Sequence, residues 1–411
     1  KRFVLRIIIF SNKGLLCRYF AAAIAWLLFA APVIASDILF KKEVGEYRIP
    51  AIVECKSSKL IAFSDHRYDG TDIGWGHHID IVLKASCDGG KTWSQDELMV
   101  AKGGSRIETD FDCGHGDAAA VVDCKTGEIL VMCASGGIGF WDSNRENPIK
   151  VGRYYSHDEG KTWKGEEVTR QIYDLMTDIK GGFFTSGRIL QSSKIKVGSH
   201  YRIYSVFATD KGNRVLYSDD FGKNWGVLGI QTNATEAAPK GDEAKVEELP
   251  DGSILLSSRV KSGRYFNIYT YDNTKTATGK WAEVVFSSAE CNGIAASDNA
   301  CNGELVLAKA KKNGKKTNLL LQSVPLGPKR SNVAIFYKEI KNAADYANPQ
   351  TIAKDWEGCF KVSNTDSGYS TMIQDRKGNI LFLMEENFLV DHYDIVFDKL
   401  TISQITGNKY E

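Results

Sequence analysis

Eight short stretches set charged and phenolic side chains in or beside apolar text, five of them with glycine or proline among them. They are YRIPAI (47–52), AFSDHR (62–67), RYDGTDIGWGHHIDIVL (67–83), GHGDAAAVVD (114–123), GDEAKVEELPDGSILLSSRVKSGRYF (241–266), KRSNVAIFY (329–337), TDSGYSTM (365–372) and FLMEEN (382–387). Their residue types have definite chemical capacities. Guanidinium groups are planar, permanently charged forks that bind carboxylates bidentately. Carboxyl groups can give or take a proton, and a phenol becomes a nucleophile when a neighbouring base removes its proton. Each stretch alone is equally compatible with a strand-end charge or a core tyrosine. Metal chemistry is disfavoured: Cys113, Cys124 and Cys133 form no CxxC pattern and have no clustered histidines, so neither a metal nor a cofactor is assigned.

The elements that must position these groups read as strands. From about residue 38 onward, runs such as AIVEC, LIAFSD, IDIVLKAS, EILVMCAS, YRIYSVFA, SILLSSRV, NLLLQSV and NILFLMEEN alternate with Gly, Asp and Asn turns. No sustained 3.6-residue apolar period interrupts them, which indicates an all-β protein with helix confined to a place such as Ala343 to Ala347. One turn recurs: SCDGGKTWS (86–94), SHDEGKTWK (156–164) and SDDFGKNWG (218–226), with YDNTKTATGKWAE (271–283) as a degraded fourth copy. Repeats some 60 to 70 residues apart, with several strands per unit, suggest the blades of a β-propeller. Within each turn the Asp can accept from backbone NH groups, the Gly permits positive φ and the Trp packs beneath.

Lys plus Arg number 52 and Asp plus Glu 51, so no global field would recruit nucleic acid. Lys1, Arg2, Arg6, Lys13 and Arg18 precede the apolar run YFAAAIAWLLFAAPVIAS, which reads as a signal peptide over residues 1–36 with cleavage near Ala35. A signal anchor is the alternative. The expected product is an exported protein, periplasmic, at the cell surface or released, without stable membrane insertion. Nine cysteines suit an oxidising compartment, and CNGIAASDNAC places Cys291 and Cys301 near enough in sequence to close a small loop.

The repeated turns resemble the Asp-boxes of the bacterial exo-α-sialidase (neuraminidase) family, and the eight stretches are similar to that family's site segments over about residues 40–400. The resemblance implies a six-bladed β-propeller catalytic domain over residues 37–411 that releases terminal α-linked sialic acid from glycoproteins, glycolipids or oligosaccharides. Arg48, Arg264 and Arg330 would then be the three arginines on the substrate carboxylate, with Glu385, or its neighbour Glu386, bracing Arg48. Arg67 and Asp117 would contact the sugar. Tyr369 would be the nucleophile, Glu248 its base, with Glu247 the adjacent competitor, and Asp72 the acid/base in preference to Asp69 and Asp80. Arg259 is expected to be structural, and His66 a packing residue. Relatives of other outcome, a trans-sialidase, a hydrolase of another 2-keto sugar acid, or a non-catalytic sialic-acid-binding propeller, would share parts of this set.

Overall fold

The computed structural model describes residues 37–41, 45–69, 72–229, 241–298, 301–387 and 393–411; the expected signal peptide falls outside them. The described residues form six sheets of four or five strands, one per blade of a β-propeller, antiparallel throughout except where Gly187–Arg188 adds in parallel to His115–Val122. In the first blade the strands run Glu46–Glu54, Leu60–Arg67, Ile79–Ser86 and Leu98–Ala101 from centre to rim. The inner strands of the second, fourth, fifth and sixth blades are His115–Val122, Asp242–Glu248, Leu305–Lys312 and Asp366–Gln374. Alternating residues along these strands pack between neighbouring blades, giving apolar clusters such as Ala51, Ile61, Phe63 and Leu83 against Ala118, Ala120, Ile129 and Val131. The ring closes through Asp37–Phe40, which adds antiparallel to Asp394–Leu400 as the outermost strand of the sixth blade.

Each Asp-box joins the third and fourth strands of its blade. Asp158 accepts from the backbone NH of Lys161 and Thr162 and from Thr162 Oγ1 at 3.0, 2.9 and 2.6 Å, and Asp88 and Asp220 hold the equivalent turns. Residues 271–283 occupy the same position in the fourth blade, with Trp281 packed on Tyr269. The box glycine has positive φ and also lies against the preceding blade. A Cβ on Gly160 would stand 2.9 Å from Ile61 Cδ1, and one on Gly222 2.5 Å from Leu130 Cδ2. The box is therefore a staple between blades as well as a hairpin turn. Helix is indeed minor among the described residues: 3₁₀ turns at Ala289–Cys291 and Ala343–Tyr346 and three α-helices of five residues each.

The described cysteines are all free, including Cys291 and Cys301. The loop closure that their spacing permits is not made: Cys301 is buried in a cluster with Ile49 and Tyr369, while the Cys291 thiol donates to the carbonyls of Ser288 and Ala353. No described helix is long and apolar enough to cross a membrane.

Candidate active site

Inner strands begin at one end of the channel, and here four of them depart from regular pairing. Register shifts fall between Arg48 and Ala51, Gly116 and Ala119, Asp242 and Ala244, and Ser367 and Ser370. Such bulges re-aim side chains, and Ile49 and Asp117 accordingly sit at φ 58°, a region costly for a β-branched residue. The irregular positions present Arg48, Asp117, Glu243 and Tyr369. Second strands run back to the same end and contribute Arg67, Arg259 and Glu385 near their termini.

Tyr369 is 8 % exposed. Its hydroxyl donates to Glu243 Oε2 at 2.7 Å and accepts from Arg259 Nη1 at 3.0 Å, and Arg259 pairs with the same Glu243 oxygen at 2.5 Å. Burial raises the Tyr369 pKa well above its ordinary value, with the Glu243 charge adding to the effect. Burial also raises Glu243, opposed chiefly by Arg259. Arg330 places its guanidinium carbon 5.4 Å from the centre of the Tyr369 ring, and its Nε is buried without a hydrogen-bond partner among the described residues.

One enclosed carboxylate organises the adjoining strands. Glu385 accepts from Arg48 Nε and Nη2 at 2.8 and 3.3 Å, from the Ile49 NH at 2.9 Å and from the Tyr369 NH at 3.1 Å. Burial alone would raise its pKa, but Arg48 and these two NH groups outweigh that and hold it below the usual range. A Cβ on Gly368 would come within 2.6 Å of Glu385 Oε2, which explains the glycine before Tyr369. Tyr393 flanks Arg48, 4.9 Å from the guanidinium carbon to the ring centre.

Opposite lies an acidic group around Arg67. Asp65 accepts from Arg67 Nη2 at 3.0 Å and from the Asp117 NH at 3.0 Å, and Arg67 Nη1 reaches Asp72 Oδ1 at 3.2 Å. The Asp72 side chain is 69 % exposed, free to meet a ligand. Its competitors are committed elsewhere: Asp80 binds Tyr68, His78 and the Gly103 NH, and Asp69 pairs with His77. Burial raises Asp65 and Asp117, the latter well above the carboxylate range, and each carboxylate disfavours ionisation of its neighbours. His66 stacks between Tyr47 and Tyr68 at 4.5 and 4.2 Å, a packing role.

A family model described as the BNR repeat-like domain matches residues 70–382. A sialidase of Bacteroides fragilis is 29 % identical over 297 residues, 68 % of this chain and 50 % of that protein. A Clostridium perfringens sialidase is 25 % identical over 387 residues, 87 % of this chain and 94 % of that protein. The chain belongs to the BNR-repeat sialidases. Family membership places it among the glycoside hydrolases. The chain thus spans half the length of the Bacteroides relative but nearly all of the Clostridium one. Among solved structures, the intramolecular trans-sialidase of Ruminococcus gnavus, in complex with oseltamivir carboxylate, superposes with a TM-score of 0.68 at 19 % identity, covering 92 % of this chain and 99 % of that one.

This sialidase-family site gathers Arg48, Arg67, Asp72, Asp117, Arg330, Tyr369 and Glu385 at one end of the channel, but not Glu248 or Arg264. Glu248 closes the inner strand that Glu243 opens, and five residues of strand set the two roughly 17 Å apart. Its carboxylate accepts from Ser192 Oγ, Ser193 Oγ and the Ser193 NH at 2.5, 2.8 and 2.8 Å. Glu247, the other candidate, pairs with Arg188. Arg264 is fully buried and spends its donors on Ser257 O, Ser257 Oγ and Cys301 O at 2.7, 3.0 and 3.2 Å. Arg259, expected to be structural, instead meets Tyr369. Glu386 is tied to Ser363, which leaves Glu385 as the brace. Glu243, Arg259 and Asp65 are thus the residues that sequence reasoning missed. Strand direction was the usable signal: Arg48, Asp117 and Tyr369 all stand near the beginning of an inner strand, and Glu243 does so where Glu248 does not.

Proposed function

We propose that this protein is an exo-α-sialidase that hydrolyses terminal α-linked sialic acids from glycoproteins, glycolipids or oligosaccharides with retention of configuration, and that it acts after export. The observation that carries the reading is the Tyr369–Glu243 hydrogen bond beside Arg259, inside a site that also holds Arg48 and Arg330.

A sialic acid carries a carboxylate on its anomeric carbon. Arg48, Arg259 and Arg330 supply guanidinium groups for that anion, with Glu385 fixing the orientation of Arg48. An anionic nucleophile approaching this carbon would meet the substrate's own charge, whereas a phenol approaches neutral; tyrosine is the known exception to the usual carboxylate pair of glycosidases. Tyr369 Oη attacks the anomeric carbon as Glu243 takes its proton, and Asp72 protonates the departing glycosidic oxygen. In the second step Asp72 takes a proton from water, the water oxygen replaces Tyr369 on the anomeric carbon, and Glu243 returns the proton to the phenolate. Two displacements give retention. Arg67 and Asp117 line the ring's polar side.

The test is turnover of an α-sialoside followed by NMR, with free α-sialic acid expected as the first product. Initial release of the β-anomer would contradict retention, a 2,7-anhydro product would assign the chain to intramolecular transfer, and binding without turnover would make it a lectin-like propeller.

A further inference from the structure

Below the Tyr369–Glu243 pair, the channel is filled by charged side chains that no catalytic step uses. Lys245 and Thr371 stand two residues along the inner strands from Glu243 and Tyr369, past the bulges, and both reach the same buried carboxylate in the next layer of the channel. Between them stands Glu304, 1 % exposed, from the segment leading into the fifth blade. Its Oε2 accepts from Thr371 Oγ1 at 2.9 Å and faces Lys245 Nζ at 3.5 Å, while Oε1 accepts from the Leu305 NH at 3.2 Å. The backbone of Glu304 is fixed too, its NH donating to Ser323 Oγ and its carbonyl accepting from Ser323 N and Gln322 Nε2. Lys245 also donates to the Ser186 carbonyl, and Arg188, paired with Glu247, brings its Nε to 3.9 Å from Glu304 Oε1, so two cations face the Glu304 carboxylate. Gly187 faces this cluster at φ 96°; a Cβ there would lie 2.3 Å from Lys245 Nζ and 3.1 Å from Glu304 Oε2.

We propose that Glu304 is a positioning residue: by bridging Thr371 and Lys245 it holds the two inner strands at the spacing that keeps the Tyr369 hydroxyl on Glu243. This rests on the sialidase reading above. Tyr369 and Glu243 come from different blades, and the contacts that join them in the described structure, their own hydrogen bond and the shared Arg259 guanidinium, both lie where the proton moves and the substrate binds. A second tie one layer down, outside the substrate's reach, keeps the phenol and carboxylate aligned while their proton moves. Misplacement of reacting groups by about 1 Å can cost on the order of 100-fold in rate, so loosening the tie should appear in the chemical step and leave binding by the arginines intact.

The experiment compares wild type and Glu304→Gln on an α-sialoside, measuring kcat, KM, the affinity of a non-hydrolysable sialic-acid analogue and the pH profile of kcat/KM. The variant keeps an acceptor for Thr371 but removes the charge facing Lys245 and Arg188. The expected result is a fall in kcat of about 10- to 100-fold, a displaced acidic limb and analogue affinity within about twofold of wild type. Unchanged kcat and limb in Glu304→Gln would overturn the inference, as would equal losses in turnover and analogue binding. Should that variant fail to fold, Thr371→Val, which removes one hydroxyl, is held to the same outcomes. A wild-type protein that binds the analogue without turnover overturns the functional reading itself, and the positioning role with it.

Discussion

A phenol ionises above neutral pH, and burial pushes Tyr369 further in that direction, so its nucleophilicity depends on the base it touches. That base has the opposite requirement: it must be ionised to accept the proton, and burial raises its pKa. The rate therefore falls as pH drops through the raised Glu243 pKa, and the acidic limb of kcat/KM is expected above the usual glutamate value of about 4.3. Arg259 opposes the rise, so Arg259→Met should move the limb further up; a limb unmoved or lowered in that variant would contradict the assignment. Glu243→Gln is expected to lower kcat by roughly 10²- to 10⁴-fold, whereas Glu248→Gln should leave kcat near wild type, since its carboxylate is held by Ser192 and Ser193 at the far end of the strand. Residue identity alone could not separate the two glutamates. Both stand in one acidic strand, and what distinguishes them is distance along it.

The inner strand is the element that converts a regular sheet into a site. Arg48, Asp117, Glu243 and Tyr369 all stand at breaks in its pairing; Asp tolerates the left-handed region, but no local residue preference announces an Ile at positive φ. The blades themselves were legible, because short apolar runs and repeated Ser-x-Asp-x-Gly turns are local features. So was the neighbourhood of Tyr369, where Gly368 records the space taken by Glu385. Arg259 was harder. It stands near the end of a second strand much as Arg67 does in the first blade, and Arg264 stands directly across the hairpin from it, so five residues separate an arginine that meets Tyr369 from a fully buried one. At this scale the boxes act on stability and not on chemistry. Gly160→Ala forces positive φ on an alanine whose Cβ meets Ile61, and should cost about 1–3 kcal/mol in denaturant unfolding with kcat of the folded fraction unchanged. Wild-type stability would refute the staple.

At the scale of the molecule, the ring gathers like charges at its active end, and this couples stability to pH. Asp65 and Asp117 have raised pKa values, so the native state binds their protons more tightly than the unfolded chain. Stability from this source is present below the ordinary carboxylate range and is lost as pH rises through the elevated values. Asp117→Asn removes one member of the group. Its melting temperature should therefore gain on wild type between about pH 4 and about pH 8, and a gap that narrows over that window would contradict the sign. Closure of the ring has its own test. Deleting residues 37–41 removes the strand that pairs with Asp394–Leu400 and buries Phe40, so it should lower the unfolding temperature relative to a chain beginning at residue 36.

The central claim is that Tyr369 forms a covalent bond to the anomeric carbon of a sialic acid. A 3-fluorinated sialyl donor with a good leaving group slows both steps by destabilising the oxocarbenium-like transition state, while the leaving group restores the first, so the intermediate accumulates. Peptide mass spectrometry of the trapped protein is expected to find one sialyl adduct, on the peptide containing Tyr369, and none in Tyr369→Phe. Normal turnover by Tyr369→Phe, or an adduct on another side chain, would contradict the mechanism.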